Sequence, residues 1–404
     1  MIFVGIDWAE VHHDVCVLNE QGEVLARRRI GDDLAGLRTC HELLGDLAEE
    51  PADVVIGLEK DRGLIVAGLV AAGFTIYAIN PLASSRYRSR HHTSGSKSDP
   101  GDAKMLADLV RTDRHNHRPI AGDSSLAEAL KLLARAHQSA VWARQRQVNA
   151  LRNSLKDYYP GALDMFGTLL FKPDALSVLG IAPTPTLGRR LTKLKIERAL
   201  TRGGRQRNVE RRAQEILVAL RVEQMTQPEV VENAYGRITS SQVRTIQLMN
   251  DEINDLEQAL TEHFEQHPSA AIISSLPGIG TILGARVLGE FGDDPTRYCN
   301  AKSRRNYAGT SPITKASGKS KVVLARHSRN RRLASALDQW AFCSLSGSPG
   351  ARRYYDELRA RDKSHRQAVR QVANRWVGIL HGCLEHGVIY EESVAWKTNL
   401  DLAA

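Results

Sequence analysis

The chain has 404 residues, with 55 Lys and Arg against 46 Asp and Glu for a net charge of +9, and its 42% hydrophobic and 25% charged content is that of a soluble globular protein. At roughly 150 residues per domain this length predicts two or three domains, each able to bury its own core without a disulfide or metal staple. Aromatic residues make up only 5%, which argues against a base-stacking platform of the RRM kind.

In chain order, MIFVGIDW is a short apolar, β-branched run and predicts a strand. DVCVLNEQGEVLARRR gives two further strands around the hairpin signal Asn19-Glu20-Gln21-Gly22. Residues 34–48 have helical spacing, DVVIGLE at 53–59 predicts a buried strand, a helix covers 63–72, and GFTIYAI at 73–79 is a strand. The expected order is β-β-β-α-β-α-β, followed by a polar loop, HHTSGSKSDPGD, and a helix from Ala103. Residues 124–158 form one long helix with near-heptad apolar positions, although His137 and Arg144 occupy two apolar slots. Residues 239–266 repeat the pattern, so the two segments are expected to pair as an antiparallel coiled coil, within one chain or between chains. Between them, 189–212 is a basic helix-loop-helix with Arg189, Arg190, Arg205 and Arg211 as candidate nucleic-acid contacts. His267-Pro268 ends the second long helix, and the remainder predicts a mostly helical C-terminal domain. The expected domains are therefore 1–123, 124–268 and 269–404.

The charge is unevenly spread: residues 1–60 hold 13 acidic and 5 basic side chains, a net −8, which leaves +17 on the rest. An acidic head and a basic body point to a polyanionic partner held mainly by the body. Cys16, Cys40, Cys299, Cys343 and Cys383 stand apart with no CxxC, which excludes a zinc ribbon or redox pair and suits a reducing cytoplasm. The start has no signal-peptide character, and no stretch approaches the roughly 20 apolar residues of a membrane span.

Three constellations could carry chemistry. Asp7 lies near the end of the first strand, Glu59 ends the buried strand, and Asp99 and Asp102 lie in KSDPGDA just ahead of a helix. In an RNase H-like sheet the first and fourth strands are neighbours, so these carboxylates would converge. Four carboxylates repel one another unless cations neutralise them. Hard oxygen ligands suit Mg²⁺, with Mn²⁺ as an alternative, and such ions clamp a phosphodiester. In SLPGIGTILGARVLGEFG, Gly278 and Gly280 would sit in a helix-hairpin-helix turn whose amides approach a nucleic-acid phosphate; a tight interhelical turn is the plainer reading. The segment 301–332 holds ten Lys and Arg and no acid. Its Ser317-Gly318-Lys319-Ser320 resembles the end of a P-loop, but Ile313 stands where the first glycine is required. Ser317 could instead be a nucleophile, with Lys315, Lys319, Lys321 and Arg326 stabilising charge on an attacked phosphate, or it could simply be part of a turn.

Together GIDWA, GLEK, KSDPGDA, LPGIG and YAGTSPITKASGKS resemble the DEDD insertion-sequence transposases of the IS110 family, over nearly the whole chain. The resemblance implies a RuvC-like N-terminal domain, a coiled-coil middle and a C-terminal transposase domain. It also implies a serine recombinase that acts on donor and target DNA with Mg²⁺, is guided by a bridge RNA, and works as a homodimer or higher homo-oligomer in a bacterial cytoplasm, associated with the nucleoid when active. By motif, the acidic tetrad is Asp7, Glu59, Asp99 and Asp102, and the serine is Ser317. In this family, domains of different subunits are expected to build one composite site. The family often has Gly-Leu where this chain has Gly309-Thr310, and Gly-Asn where it has Arg329-Asn330. Two other readings remain: a RuvC-like nuclease that cuts by water attack with a structural Ser317, and a non-catalytic nucleic-acid-binding protein.

Overall fold

A computed structural model describes residues 1–91, 98–117, 119, 120, 122–318, 320–326 and 329–396. Two compact units divide the chain, Met1–Gly122 and Asp123–Ala404.

The first unit contains β1 (Ile2–Trp8), β2 (His12–Leu18), β3 (Val24–Gly31), α1 (Leu34–Gly45), β4 (Val54–Leu58), α2 (Leu64–Ala71), β5 (Thr75–Ala78), α3 (Pro81–His91) and α4 (Asp99–Asp113). Among the described residues the strands form one sheet in the order β3-β2-β1-β4-β5. The β1–β2 and β2–β3 pairs are antiparallel, whereas β1–β4 and β4–β5 are parallel. The first and fourth strands are thus neighbours, which is consistent with a RuvC-like sheet.

Alternation along β1 sends Ile2, Val4 and Ile6 into a core with Cys40, Leu44, Ile65 and Leu69. Phe3 faces the opposite core, built with Leu106 and Val110 of α4. On that second face Gly5 pairs with Gly57. A Cβ at Gly5 would lie 1.8 Å from the Ala103 carbonyl oxygen, and one at Gly57 would lie 2.8 Å from that of Leu106. The two glycines let the α4 backbone rest directly on β1 and β4. Arg114, just beyond α4, stacks 5.1 Å over the Phe3 ring. Helix α4 therefore runs antiparallel to β1, and its first turn lies at the C-terminal end of the strand.

Two elements depart from expectation. Helix α3 lies in a stretch that carries no apolar stripe. Helix α4 starts at Asp99 rather than Ala103, so Asp99 and Asp102 lie in its first turn, not ahead of it. Pro100 reads as a breaker in sequence but is compatible with a first turn, where its missing N–H has no intrahelical partner.

Among its described residues the second unit is helical apart from one hairpin: α5 (Ser125–Tyr158), α6 (Pro160–Phe166), α7 (Pro173–Ile181), α8 (Pro185–Arg189), α9 (Lys193–Arg202), α10 (Val209–Arg221), α11 (Glu229–Glu265), α12 (Ala270–Ser274), α13 (Thr281–Phe291), α14 (Ala301–Ala308), β6 (Ile313–Ser317), β7 (Ser320–Leu324), α15 (Arg331–Gly347), α16 (Pro349–Ala360), α17 (His365–His386) and α18 (Glu392–Ala395). Helices α5 and α11 pack antiparallel within the chain. The polar slots find partners: His137 Nε2 lies 3.1 Å from Glu257 Oε1, and Arg144 donates to Asn250 Oδ1 at 2.8 Å. Burial lowers the His137 pKa despite the Glu257 carboxylate. One apolar core forms where Val148, Leu151, Leu155, Val243 and Ile246 meet α6 to α10. A second forms where Leu130, Leu260 and Phe264 meet the helices from α12 onward. Among the described residues no helix is long and apolar enough to cross a membrane.

The Gly5→Ala variant should destabilise the protein by about 1–3 kcal/mol, because α4 must lift from the sheet. Gly45→Ala, which meets nothing within 4 Å, should be neutral or slightly stabilising. Urea denaturation of the full chain, followed by circular dichroism, checks both.

Candidate active site

The sheet register assembles the acidic residues. Asp7 faces α4, like Phe3 and Gly5 before it, and pairs with Asp14 of β2. Ile6 pairs with Leu58, so Glu59 follows β4 beside Asp7. The residues after them also meet: the Lys60 ammonium lies 3.4 Å from the centroid of the Trp8 ring. From α4, Asp99 and Asp102 arrive over the same edge. Ligand atoms of His12, Asp14 and Asp99 all lie within 4.8 Å of one another.

Basic and hydroxyl groups hold this edge in place. Asp14, only 8% exposed, accepts two bonds from Arg29, at 3.2 and 2.8 Å. Asp102, 6% exposed, pairs with Arg88 Nη2 at 2.7 Å. The buried Ser84 hydroxyl donates to Glu59 Oε1. Ser84 and Arg88 are one turn apart on α3, so a single helix grips two of the sequence-predicted carboxylates. Sequence reading missed Asp14, His12, Ser84 and Arg88, which the strand register and the packing of α3 bring to this edge.

Ser317 belongs to a β-hairpin where only a turn was expected. It ends β6 and pairs with Ser320 of β7. Gly318 adopts φ +55° with open space around it, as two-residue hairpin loops often require. Both strands are exposed apart from Ile313, which is half-buried. Alternation puts Lys315 on the Ser317 face and Lys321 on the other. Arg326 is half-buried, and Lys319 lies outside the described residues. The hairpin leads into α15 through Asn330, whose side chain caps that helix by accepting from Arg332 and Leu333 amides. Asn330 also donates to Glu290 at 2.6 Å, and Arg135 grips the same carboxylate with two bonds of 2.9 Å. Burial favours a raised Glu290 pKa, but these hydrogen bonds outweigh it and hold the carboxyl below its ordinary value.

The other predicted contacts divide by their surroundings. A Cβ at Gly278 would meet the Ser344 amide nitrogen at 2.4 Å, so that glycine already serves packing against α15. Gly280 faces open space at the start of α13. Arg189 and Arg190 are exposed. Arg205 is committed to Asp174 at 2.6 Å, and Arg211 lies 3.4 Å from Glu215.

Comparison with known proteins decides the family. A DEDD-type IS110 family model, described as a transposase, matches residues 4–160. A second, described as "Transposase IS116/IS110/IS902 family", matches residues 270–356. The chain is 41% identical, over its whole length and 98% of the relative, to the "Mini-circle putative transposase for IS117" of Streptomyces coelicolor. The chain belongs to the IS110 family of transposases. It is also 27% identical to the "Insertion element IS900 uncharacterized 42 kDa protein" of Mycobacterium paratuberculosis, over 96% of this chain and 97% of that one. Membership makes it a DNA-cleaving and recombining enzyme.

A DEDD transposase domain calls for a divalent cation, and the donor set fits one. The carboxylates at the edge are hard oxygen ligands. The Arg88 Nε is buried without a hydrogen-bond partner among the described residues, so its guanidinium matches the site only in part. Arg88→Gln should lower stability in EDTA by about 1–3 kcal/mol, because Asp102 loses a charged hydrogen bond. Adding Mn²⁺ should restore more thermal stability to this variant than to the wild type, since the ion replaces the missing charge; melting curves with and without Mn²⁺ read this directly.

Proposed function

We propose that this transposase cuts and rejoins DNA through Ser317, with the acidic edge holding Mg²⁺, or Mn²⁺ in its place. The observation that carries this reading is the serine itself. It sits exposed at the hairpin tip and shares a face with Lys315, and its side-chain hydroxyl is hydrogen-bonded to no described residue. A nucleophile must be reachable, and a cation on its own face favours the charge that develops on an attacked phosphate.

In the proposed step, Ser317 Oγ bonds to phosphorus while the bond from phosphorus to one deoxyribose oxygen breaks. The serine proton passes to solvent, and the freed sugar oxygen takes one up. The number of phosphorus–oxygen bonds is unchanged, so rejoining needs no nucleotide cofactor. A divalent ion at the acidic edge would neutralise charge on the scissile phosphate. Asp7, Glu59, Asp99 and Asp102 are the proposed ligands, and Asp14 and His12 join them. Lys315 and Lys321 hold the strand, and exposed Arg189 and Arg190 contact flanking nucleic acid. The same reading takes the first unit as RuvC-like, α5 with α11 as a coiled coil, and 270–291 as a helix-hairpin-helix. The partners are donor and target DNA, a bridge RNA and further copies of the chain; a discrete RNA carried through purification and encoded beside the gene would support the guide.

The rival reading is a metal nuclease that cuts by water attack, favoured by an acidic edge assembled within the first unit alone. The serine separates them. Ser317→Ala should bind DNA like the wild type but lose strand cleavage by a factor on the order of 10³ or more. Ser320→Ala should be far milder. On a nicked substrate the wild type should leave a denaturation-resistant protein–DNA adduct that the Ser317 variant cannot form. Normal cleavage by Ser317→Ala, with no adduct in either protein, would replace this reading with water attack.

A further inference from the structure

Between α15 and α17 runs a groove of about 550 Å³, within the roughly 300–1,000 Å³ of ligand clefts. Arg329, Asp338, Phe342, His365, Arg366 and Arg370 line it, and Val369 lies beneath. Its arginines differ from their neighbours. Arg305, Arg332, Arg353 and Arg359 each donate to a backbone carbonyl. Arg329, Arg366 and Arg370 form no hydrogen bond or ion pair with any described residue, and neither does Asp338. Phe342 is 59% exposed, an unusual state for so large an apolar ring. His365 meets it nearly perpendicular, with centroids 6.1 Å apart, and Tyr355 OH holds His365 Nδ1 at 2.8 Å.

We propose that this groove binds an unpaired stretch of the DNA strand on which the transposase acts. Three guanidinium groups with no hydrogen-bond partner among the described residues match phosphates, two of them, Arg329 and Arg370, near enough to Asp338 for their charge to act on its carboxyl, and an exposed aromatic ring offers a face to a base. The lone carboxylate repels phosphate and accepts from an exocyclic amine, so Asp338 favours cytosine or adenine over thymine beside it. Arg329 precedes the Asn330 cap that joins the Ser317 hairpin to α15, so strand held here flanks the hairpin in the same unit. The inference rests on the DNA-recombining reading above.

The test uses the full-length protein and fluorescent oligonucleotides: oligo(dC), oligo(dT), a mixed-sequence DNA duplex and an RNA of matching sequence. Phe342→Ala should weaken single-stranded DNA binding about tenfold. Arg366→Ala and Arg370→Ala should each lower the salt dependence of binding by about one ion. Duplex binding should change little, and Asp338→Asn should erase a preference for oligo(dC) over oligo(dT). All four side chains border the open groove, and unchanged melting curves would establish that the variants fold. Unchanged single-strand binding in the Phe342 and arginine variants overturns the inference while leaving DNA recombination by this family intact. Loss confined to RNA, or to a polyglutamate probe standing for an acidic protein segment, also overturns it. A wild type that binds neither form of DNA overturns the functional reading as well.

Discussion

A helix can rest directly on a β-sheet only where side chains leave room, and in the first unit the paired Gly5 and Gly57 provide that room. The acidic edge follows from this contact. With α4 lying antiparallel over β1, its first turn reaches the strand end where Asp7 and Glu59 sit. The positive end of the α4 dipole then points at a cluster of carboxylates and offsets part of their repulsion. Helix α3 completes the arrangement through Ser84 on Glu59 and Arg88 on Asp102. Larger side chains at the glycines would move a whole helix, and two of the four carboxylates with it.

The second unit faces the opposite problem, because it must display many cations without losing its fold. It does so by dividing them. Arg135, Arg205 and Arg297 are tied down by Glu290, Asp174 and Asp123. Arg305 and Arg332 are spent on backbone carbonyls. The cations left open are those that the interior does not use, and they include the hairpin lysines and the arginines of the α15–α17 groove. A buried carboxylate beneath a basic segment is therefore part of how that segment is presented: Glu290, 3% exposed, holds the cap of α15 and so the base of the hairpin.

Much of the first unit is legible in the sequence because its strands are short apolar runs bounded by turns. Asp7 and Glu59 are legible with them, since each closes such a run. Asp14 is not, because recognising it requires the β1–β2 register, and the connecting Ala9-Glu10-Val11 carries no Gly or Asn turn signature to set one. Helix α3 is hidden for a different reason. PLASSRYRSRH has no apolar face, and its helix is held by polar contacts of Ser84, Tyr87 and Arg88 that exist only in the folded unit. The β6–β7 hairpin is hidden by composition: its strands are largely exposed and interleaved with lysines, so no buried face imposes alternation. At Gly278 the fold adds a role that the sequence does not announce: the glycine makes room for the α15 backbone.

Helices α5 and α11 span both apolar cores of the second unit, one near each end of the pair. At 1.5 Å per residue, the 34 residues of α5 extend about 50 Å. A bar of this kind fixes angle as well as distance. A residue added to either helix between the cores would turn the positions beyond it by about 100° about that helix's axis, and so out of the seam and the core they serve. Length changes there are thus tolerable only in near-whole turns, and the phase of the pair sets the direction in which the hairpin's core faces the basic helix-loop-helix at the far end.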